Sequence, residues 1–437
     1  MKTNVINKTQ RFLPYFIMVL LSIYYFASIM QVPFHPDEST QIYMSSDLEK
    51  FFTSPEELFW VKNGLEDRRM ELRMLDAPLS RYFIGIARLI SGQDPTTSDW
   101  DWSLTYVENQ ENGALPSKNL LFSSRLAVSF LFPFSLVLIW HLLKKNFGAL
   151  AGWFGIFATA GNALVLLHTR RAMAESLTFF FVICLIYFLF SKRPNPLLLG
   201  LLAALVVSAK QSTIIWLIVI LALLLVGSQF RMDNFKQKLR NLSLCAVAFI
   251  VVVFLLNPFM WKHPIQSSKK ALDLRQALVQ QQTADIYRVS PGAALFSPIQ
   301  RISSLIGNLY FTPPAVVDTA NYVSDLEINI NMYSNNPANR MFRDMTGGSI
   351  ILLFTLLGVY TIFRSPSPAH HREEILLLIA GCLQFLVLAI IVTLPFQRYV
   401  IPLVPTAIIF FAVGTSKFIE LVYKEILLAR AKRSHLD

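Results

Sequence analysis

Between Phe12 and Val32 the chain carries no charged residue, and stretches of that kind recur along its length. Apolar runs of about 17–25 residues match the thickness of a bilayer's hydrocarbon core. In that medium a backbone has to satisfy its own hydrogen bonds, which leaves the helix as the spanning element for such runs. Of the 437 residues, 54% are hydrophobic and only 15% are charged, against roughly a quarter charged in soluble domains. Thirty-five Phe and seven Trp fit lipid-facing and interfacial positions. The expected class is an all-α polytopic membrane protein.

The formal charge of +11 does not point to nucleic acid, because no run of Lys and Arg is interleaved with aromatics. Basic residues instead flank the apolar runs, where they hold cytoplasmic loops and meet anionic headgroups. Cys184, Cys245 and Cys382 each lie inside an apolar run and read as core packing, with no disulfide or metal knuckle.

The runs give about ten spans: 12–32, 120–142, 148–168, 172–190, two short ones within 196–227, then 241–260, 347–363, 375–394 and 400–416. The 196–227 stretch is broken by Lys210-Gln211-Ser212 and has basic flanks on both sides, Lys192/Arg193 before and Arg231 after. Two short spans hairpinned at Lys210 keep both flanks inside. The first run is too long for a signal-peptide core and no cleavage site follows it, so it is a retained span. Both termini are then cytoplasmic. The chain 1–437 reads as one membrane domain, with external loops 33–119 and 261–346, a transmembrane core 120–260, and C-terminal spans and tail 347–437.

In the first loop Asp37 is the expected N-cap of one interfacial helix. A second helix covers Ala77–Ile90, with Arg81 and Arg88 on its polar face and Asp76 as a candidate cap. Ser91–Ser117 reads as loop. The second loop reads as helical around Ser267–Tyr287 and irregular through Thr312–Asn339.

This topology gathers ionisable residues at the outer face near the membrane: His35, Asp37, Glu38, Asp76, Arg170, Arg171, Glu175, Lys210, His263, Arg398 and Tyr399. Charge at that depth is costly and marks function. Carboxylates beside Lys and Arg suit an anionic lipid headgroup with a nucleophile nearby, the carboxylate as general base and the cations on phosphate.

Six short motifs occur in order: His35-Pro36-Asp37-Glu38, Asp76-Ala77-Pro78-Leu79, Arg125-Leu126-Ala127, Arg171-Ala172-Met173-Ala174-Glu175, Ser208-Ala209-Lys210 and Arg398-Tyr399-Val400-Ile401-Pro402. Together they resemble the GT-C superfamily of polyprenyl-phosphate-sugar glycosyltransferases. Within it they are nearest the bacterial branch related to protein O-mannosyltransferases and the lipid A aminoarabinose transferase. The chain departs where the family often has His-Pro-Pro-Leu in place of Asp76-Ala77-Pro78-Leu79, and Asp in place of Glu175. The loop 261–346 matches no known motif, and acceptor choice is expected to reside there.

The resemblance implies an inverting transfer with Asp37 as general base, Glu38 and Asp76 as further catalytic carboxylates, and His35, Arg170, Arg171, Glu175, Lys210, Arg398 and Tyr399 around the donor phosphate. The donor would be a polyprenyl-phosphate sugar and the acceptor a lipid, glycan or protein, with the site facing the periplasm or exterior of a plasma membrane. A divalent metal ion on Asp37 and the phosphate is left open. Each residue also has a plainer role: Asp37-Glu38 and Asp76 as helix caps, Arg171 and Glu175 as an i,i+4 pair, Lys210 snorkelling to headgroups, Arg398-Tyr399 as a belt anchor, His35 and His263 as structural side chains. Two rival functions stand beside the enzyme: a transporter or flippase, which calls for inverted halves and midplane charges, and a glycan polymerase or ligase using Arg275, Arg288 and Arg301 of the second loop.

Overall fold

The computed structural model describes residues 2–62, 67–191, 195–226, 235–318, 322–364 and 371–433; the flanks Lys192, Arg193 and Arg231 lie outside them. Among the described residues the secondary structure is helical. In chain order the α-helices are α1 Lys2–Ala27, α2 Pro36–Met44, α3 Asp47–Thr53, α4 Arg68–Leu75, α5 Leu79–Ile90, α6 Tyr106–Glu111, α7 Lys118–Ser129, α8 Phe132–Phe147, α9 Ala149–Ala160 and α10 Ala163–His168. They continue as α11 Ala174–Leu189, α12 Pro196–Ala209, α13 Ile215–Val226, α14 Phe235–Leu256, α15 Pro264–Val289, α16 Pro298–Ile306, α17 Val323–Asn335, α18 Met345–Arg364, α19 His371–Ile391 and α20 Val404–Arg433.

Among the described residues six helical stretches are long and apolar enough to cross a membrane: Phe12–Gln31, Lys118–Phe147, Phe235–Leu256, Met345–Arg364, Glu373–Ile391 and Gln397–Ala429. Four shorter apolar helices accompany them, at Ala149–Ala160, Ala174–Leu189, Pro196–Ala209 and Gln211–Leu225. The protein is a membrane protein. The interruption at Lys210 is present: this residue is extended, at φ −153° and ψ 116°, between α12 and a 3₁₀ turn over Gln211–Thr213. The expected 148–168 run is broken as well, at Gly161-Asn162, where the Asn162 side chain accepts from the amides of Leu164 and Val165 and starts α10.

α11 is buried along most of its length and anchors the core with α8, α12 and α20. Close backbone approach joins α18 to α20, beside the packing of Phe354 on Phe411 and Phe418. A Cβ on Gly358 would fall 1.8 Å from the carbonyl oxygen of Phe410, and one on Gly414 would fall 1.9 Å from that of Phe354. Small residues facing each other let two helices pack by van der Waals contact where lipid removes the hydrophobic incentive.

The first loop differs from expectation in its caps and its facing. α2 is capped by His35, not Asp37: His35 Nδ1 accepts from the Asp37 amide, and Glu38 reaches back to the His35 amide to complete a capping box. Asp76 ends α4, and the N-terminal position of α5 belongs to Pro78. Arg81 and Arg88 are buried, while Ile86, Leu89 and Ile90 on α5 are exposed. The charged side meets acidic partners from α3, with Arg81 on Asp47 and Arg88 on Glu49, and the outward face is apolar, as suits a helix lying on lipid. α6 falls in the stretch read as loop, and α17 in the stretch read as irregular. Cys382 is exposed, so only Cys184 and Cys245 pack in the core.

One ion pair binds these parts together. Glu38 is 0% exposed and Arg125, on α7, 1%. Arg125 donates from Nε and Nη2 to the two oxygens of Glu38, both at 2.7 Å. Its other donors reach the carbonyls of Ile29, Val32 and Pro33 at 3.0, 2.8 and 3.4 Å. Glu38 also accepts from the amide of Ala172 at 2.8 Å. Burial alone would push the Glu38 carboxyl up; the charge and hydrogen bonds of Arg125 outweigh it and hold it below its ordinary value of 4.5. A carboxylate lowered in this way contributes stability above the unfolded value that is lost as pH falls through the lower, folded one. Arg125→Met leaves Glu38 buried without its partner, and the expected cost is about 3–5 kcal/mol, read as a large drop in melting temperature at pH 7. The wild-type protein should hold that contribution until the pH is below 4.5. A melting temperature in Arg125→Met within a degree of wild type would show that the pair is not the hub described here.

Candidate active site

α2 places its two acidic residues on different sides. Successive helical residues are turned by about 100°, so with Glu38 facing the core, Asp37 faces outward and its side chain is 32% exposed. Nη1 of Arg398, the second residue of the 3₁₀ stretch Gln397–Leu403 that leads into α20, forms an ion pair with Asp37 Oδ2. Nε of the same guanidinium lies 3.3 Å from Oδ2 of Asp318. Asp318 comes from the second long loop and was not singled out in the sequence. It also sits 3.1 Å from Nε2 of His35. Because His35 Nδ1 accepts from the Asp37 amide, the hydrogen of a neutral ring is on Nε2, which donates to Asp318.

Lys210 uses the break between α12 and α13 to reach the same region. Its Nζ donates to Glu175 Oε1 at 2.9 Å and to the carbonyl of Arg398 at 3.2 Å, and lies 5.6 Å from the centre of the Tyr399 ring. Glu175 thus pairs with Lys210 rather than with Arg171. Tyr399 is also flanked by Arg398, 5.8 Å from its ring centre. The structure therefore brings together His35, Asp37, Glu175, Lys210, Arg398 and Tyr399, with Asp318 as an addition.

Other expected members stand apart. Glu38 is spent on Arg125. Arg171 donates to the carbonyls of Pro33 and Val316, tying the first and second long loops together. Arg170 is buried over the Tyr25 ring, 4.7 Å from its centre. Asp76 is close enough to sense the others but is held by Gln41, whose amide donates to its Oδ2 at 3.3 Å. Burial pushes the Asp76 carboxyl up; Arg81 opposes this, and the charge of Asp37 adds to it, leaving the group above its ordinary value of 3.8. His263 packs against Trp60 away from these groups. Of the second-loop arginines, Arg301 is committed to the carbonyls of Leu295 and Ile390, and Arg288 is an exposed side chain beside Asp285.

Among the described residues, no group of three His, Cys, Asp or Glu side chains is arranged to hold a metal ion. Two of the carboxylates here, Asp37 and Asp318, already share the Arg398 guanidinium between them. The donor set does not fit a divalent ion, because the cationic place is taken by a side chain.

No protein-family model and no curated protein matches the sequence. Solved structures do. The oligosaccharyltransferase of Archaeoglobus fulgidus in its apo form aligns over 98% of this chain and 52% of its own, at 13% identity and a TM-score of 0.52. ArnT from Cupriavidus metallidurans in the apo state aligns over 95% of this chain and 63% of its own, at 14% identity and a TM-score of 0.50. The chain shares its fold with these two structures. It spans between about half and two thirds of the length of these neighbours, and identities this low speak for architecture alone.

The raised carboxyl of Asp76 gives a prediction with a definite sign. Its ionised form is disfavoured by folding, so it subtracts stability at neutral pH. Asp76→Asn keeps an oxygen for the Gln41 amide and removes the charge. The melting temperature at pH 7.5 should be unchanged or higher than wild type, and the difference should shrink as the pH falls towards 4 and the wild-type carboxyl takes up its proton. A clear loss of stability at pH 7.5 would contradict this account of Asp76.

Proposed function

We propose that the protein is an inverting glycosyltransferase that moves a sugar from a polyprenyl-phosphate donor to an acceptor on the extracytoplasmic side of a plasma membrane. The observation that carries this reading is the arrangement at Asp37: a half-exposed carboxylate at the end of the first span, with Arg398 on one oxygen and Lys210 a short step beyond. The shared fold supports it at the level of architecture.

In the proposed reaction an acceptor hydroxyl or amine gives its proton to Asp37 and attacks the anomeric carbon. The bond from that carbon to the phosphate oxygen breaks on the opposite face, with an oxocarbenium-like transition state as in other glycosyl transfers. Polyprenyl phosphate leaves as a monoester and carries away the electron pair of the broken bond. It is a good leaving anion and calls for no general acid. What it calls for is positive charge where its own negative charge grows, and Arg398 and Lys210 supply it. Tyr399 packs against both cations. Glu175 holds Lys210 in place through its carboxylate. Glu38 supports the site as the buried partner of Arg125, not as a second base. The acceptor, whether lipid, glycan or protein, would enter beneath the second external loop. No step passes through a metal.

Asp37→Asn should lower turnover by ~10²–10⁴-fold, the range for loss of a positioned general base, in an assay of sugar release from a panel of polyprenyl-phosphate sugars. Binding of the donor should survive or tighten, since Arg398 no longer shares its charge with Asp37. Lys210→Met should slow turnover by ~10²-fold, comparable to losing one donor to a developing oxyanion. EDTA should leave the wild-type rate intact. Near-full turnover in Asp37→Asn would remove the base from this scheme, and absence of donor binding by the wild type would remove the enzyme.

A further inference from the structure

We infer that Asp318 is a positioning residue for the proposed transfer: one carboxylate from the second long loop that fixes both neighbours of Asp37. This rests on the role given to Asp37 above. Asp37 is held from two directions, through its side chain by Arg398 and through its backbone amide by His35. Both of those groups turn to Asp318, Arg398 with Nε at 3.3 Å and His35 with Nε2 at 3.1 Å, on the same oxygen. The Asp318 side chain is 5% exposed. Burial would raise its carboxyl, but Arg398 and the His35 hydrogen bond hold it well below its ordinary range, so it stays an anion and an acceptor only.

The segment that carries Asp318 is built to deliver it. The Gln397 side chain accepts from the Ala315 amide at 2.7 Å and donates to the Pro313 carbonyl and the Thr312 hydroxyl, each at 3.1 Å. Arg171 donates to the Val316 carbonyl. Residues 312–318 are thus strapped to the residue immediately before Arg398, and a carboxylate at the end of the strap meets Arg398 itself. The His35 ring meets the ring of Tyr322 edge-on with centres 6.4 Å apart, and the His35–Asp318 contact is buried, where a hydrogen bond is electrostatically stronger than in water.

A guanidinium held at Nε by a fixed carboxylate can offer its two Nη groups in one orientation only, towards Asp37 or towards a phosphate beside it. An imidazole held at Nε2 keeps its lone pair on Nδ1 for the Asp37 amide. Without Asp318, Arg398 is free to close fully on Asp37 and the ring to turn.

The test compares Asp318→Asn, Asp318→Glu, Arg398→Met and Asp318→Asn/Arg398→Met as purified full-length protein, with turnover expressed per monodisperse protein. Asp318→Asn should lose roughly 10–100-fold in kcat, as is usual when an orienting partner is removed, and Asp318→Glu should recover most of it. Because part of the effect of Asp318 runs through Arg398, the double variant should lose less than the product of the two single losses, the remainder being the share that runs through His35. Wild-type kcat in Asp318→Asn, or losses that multiply in the double variant, would overturn the inference. Should Asp318→Asn fail to fold, the same coupling is read in yield and melting temperature. A buried arginine left with one carboxylate in place of two is then the cause, and removing it in the double variant restores folded protein. A double variant as unstable as the single one overturns the inference. Asp37→Asn run in parallel separates the two levels: if it keeps turnover, the role of Asp37 fails and takes this one with it. If it is inactive while Asp318→Asn is not, only Asp318 loses its role.

Discussion

Arg125 makes five hydrogen bonds, as many as its guanidinium has donors, and all are internal to the protein. That saturation is what makes a buried charge affordable at the edge of a membrane, because a single unmet donor there costs a large part of what the pair returns. Three of the acceptors are carbonyls at the end of the first span, where the helix has run out of partners for them. The other two are the oxygens of Glu38 in the next helix. Through Ala172, Glu38 adds the start of α11. The end of α1, the start of α2, α7 and the start of α11 therefore have one position relative to each other, and it is set by electrostatics rather than by apolar fit.

The orientation of Asp37 follows from this. Pro36 opens α2, His35 caps it, and Glu38 at the third position is drawn inward. The residue between them has no choice but to face the other way. Two neighbouring carboxylates, identical in any reading of composition, are thus divided into a buried strut and an accessible group. Charge is divided in the same manner on α5, whose arginines turn inward to α3 and whose apolar residues turn out.

What was legible in the sequence is what depends on neighbours along the chain. Long apolar runs became apolar helices, the polar Lys210-Gln211-Ser212 became a break, and His35-Pro36-Asp37-Glu38 marked the start of a helix at the site. The rest depends on partners far away. Whether Glu38 or Asp37 is the strut is decided by Arg125, some ninety residues on. Asp318 sits in a stretch with no helical or strand period, and its only signal was a lone acidic residue after the apolar Pro313–Val317. Arg170 and Arg171 are adjacent and alike, yet one stacks on Tyr25 and the other ties the loops, since the chain turns between α10 and α11. α17 was missed because its polar, Asn-rich sequence has weak helical preference, and tertiary contacts of Leu326 and Tyr333 settle it.

The sharing of Arg398 between Asp37 and Asp318 has a kinetic meaning under the proposed reaction. While Asp37 is an anion, part of the positive charge of Arg398 is spent on it. When Asp37 takes the acceptor's proton, that demand ends, and the guanidinium is left with Asp318 and whatever anion lies beside it. The growing charge on the departing phosphate appears at the same stage of the reaction. Proton uptake on one side of the arginine and charge build-up on the other are then two halves of one transfer, and the guanidinium needs no movement to serve both. Asp318 matters in this picture because it remains charged throughout and keeps the arginine still while its other two partners exchange roles. A preorganised cation of that kind lowers the barrier without reorganising at the moment of reaction, which a flexible lysine in the same place would not do as well.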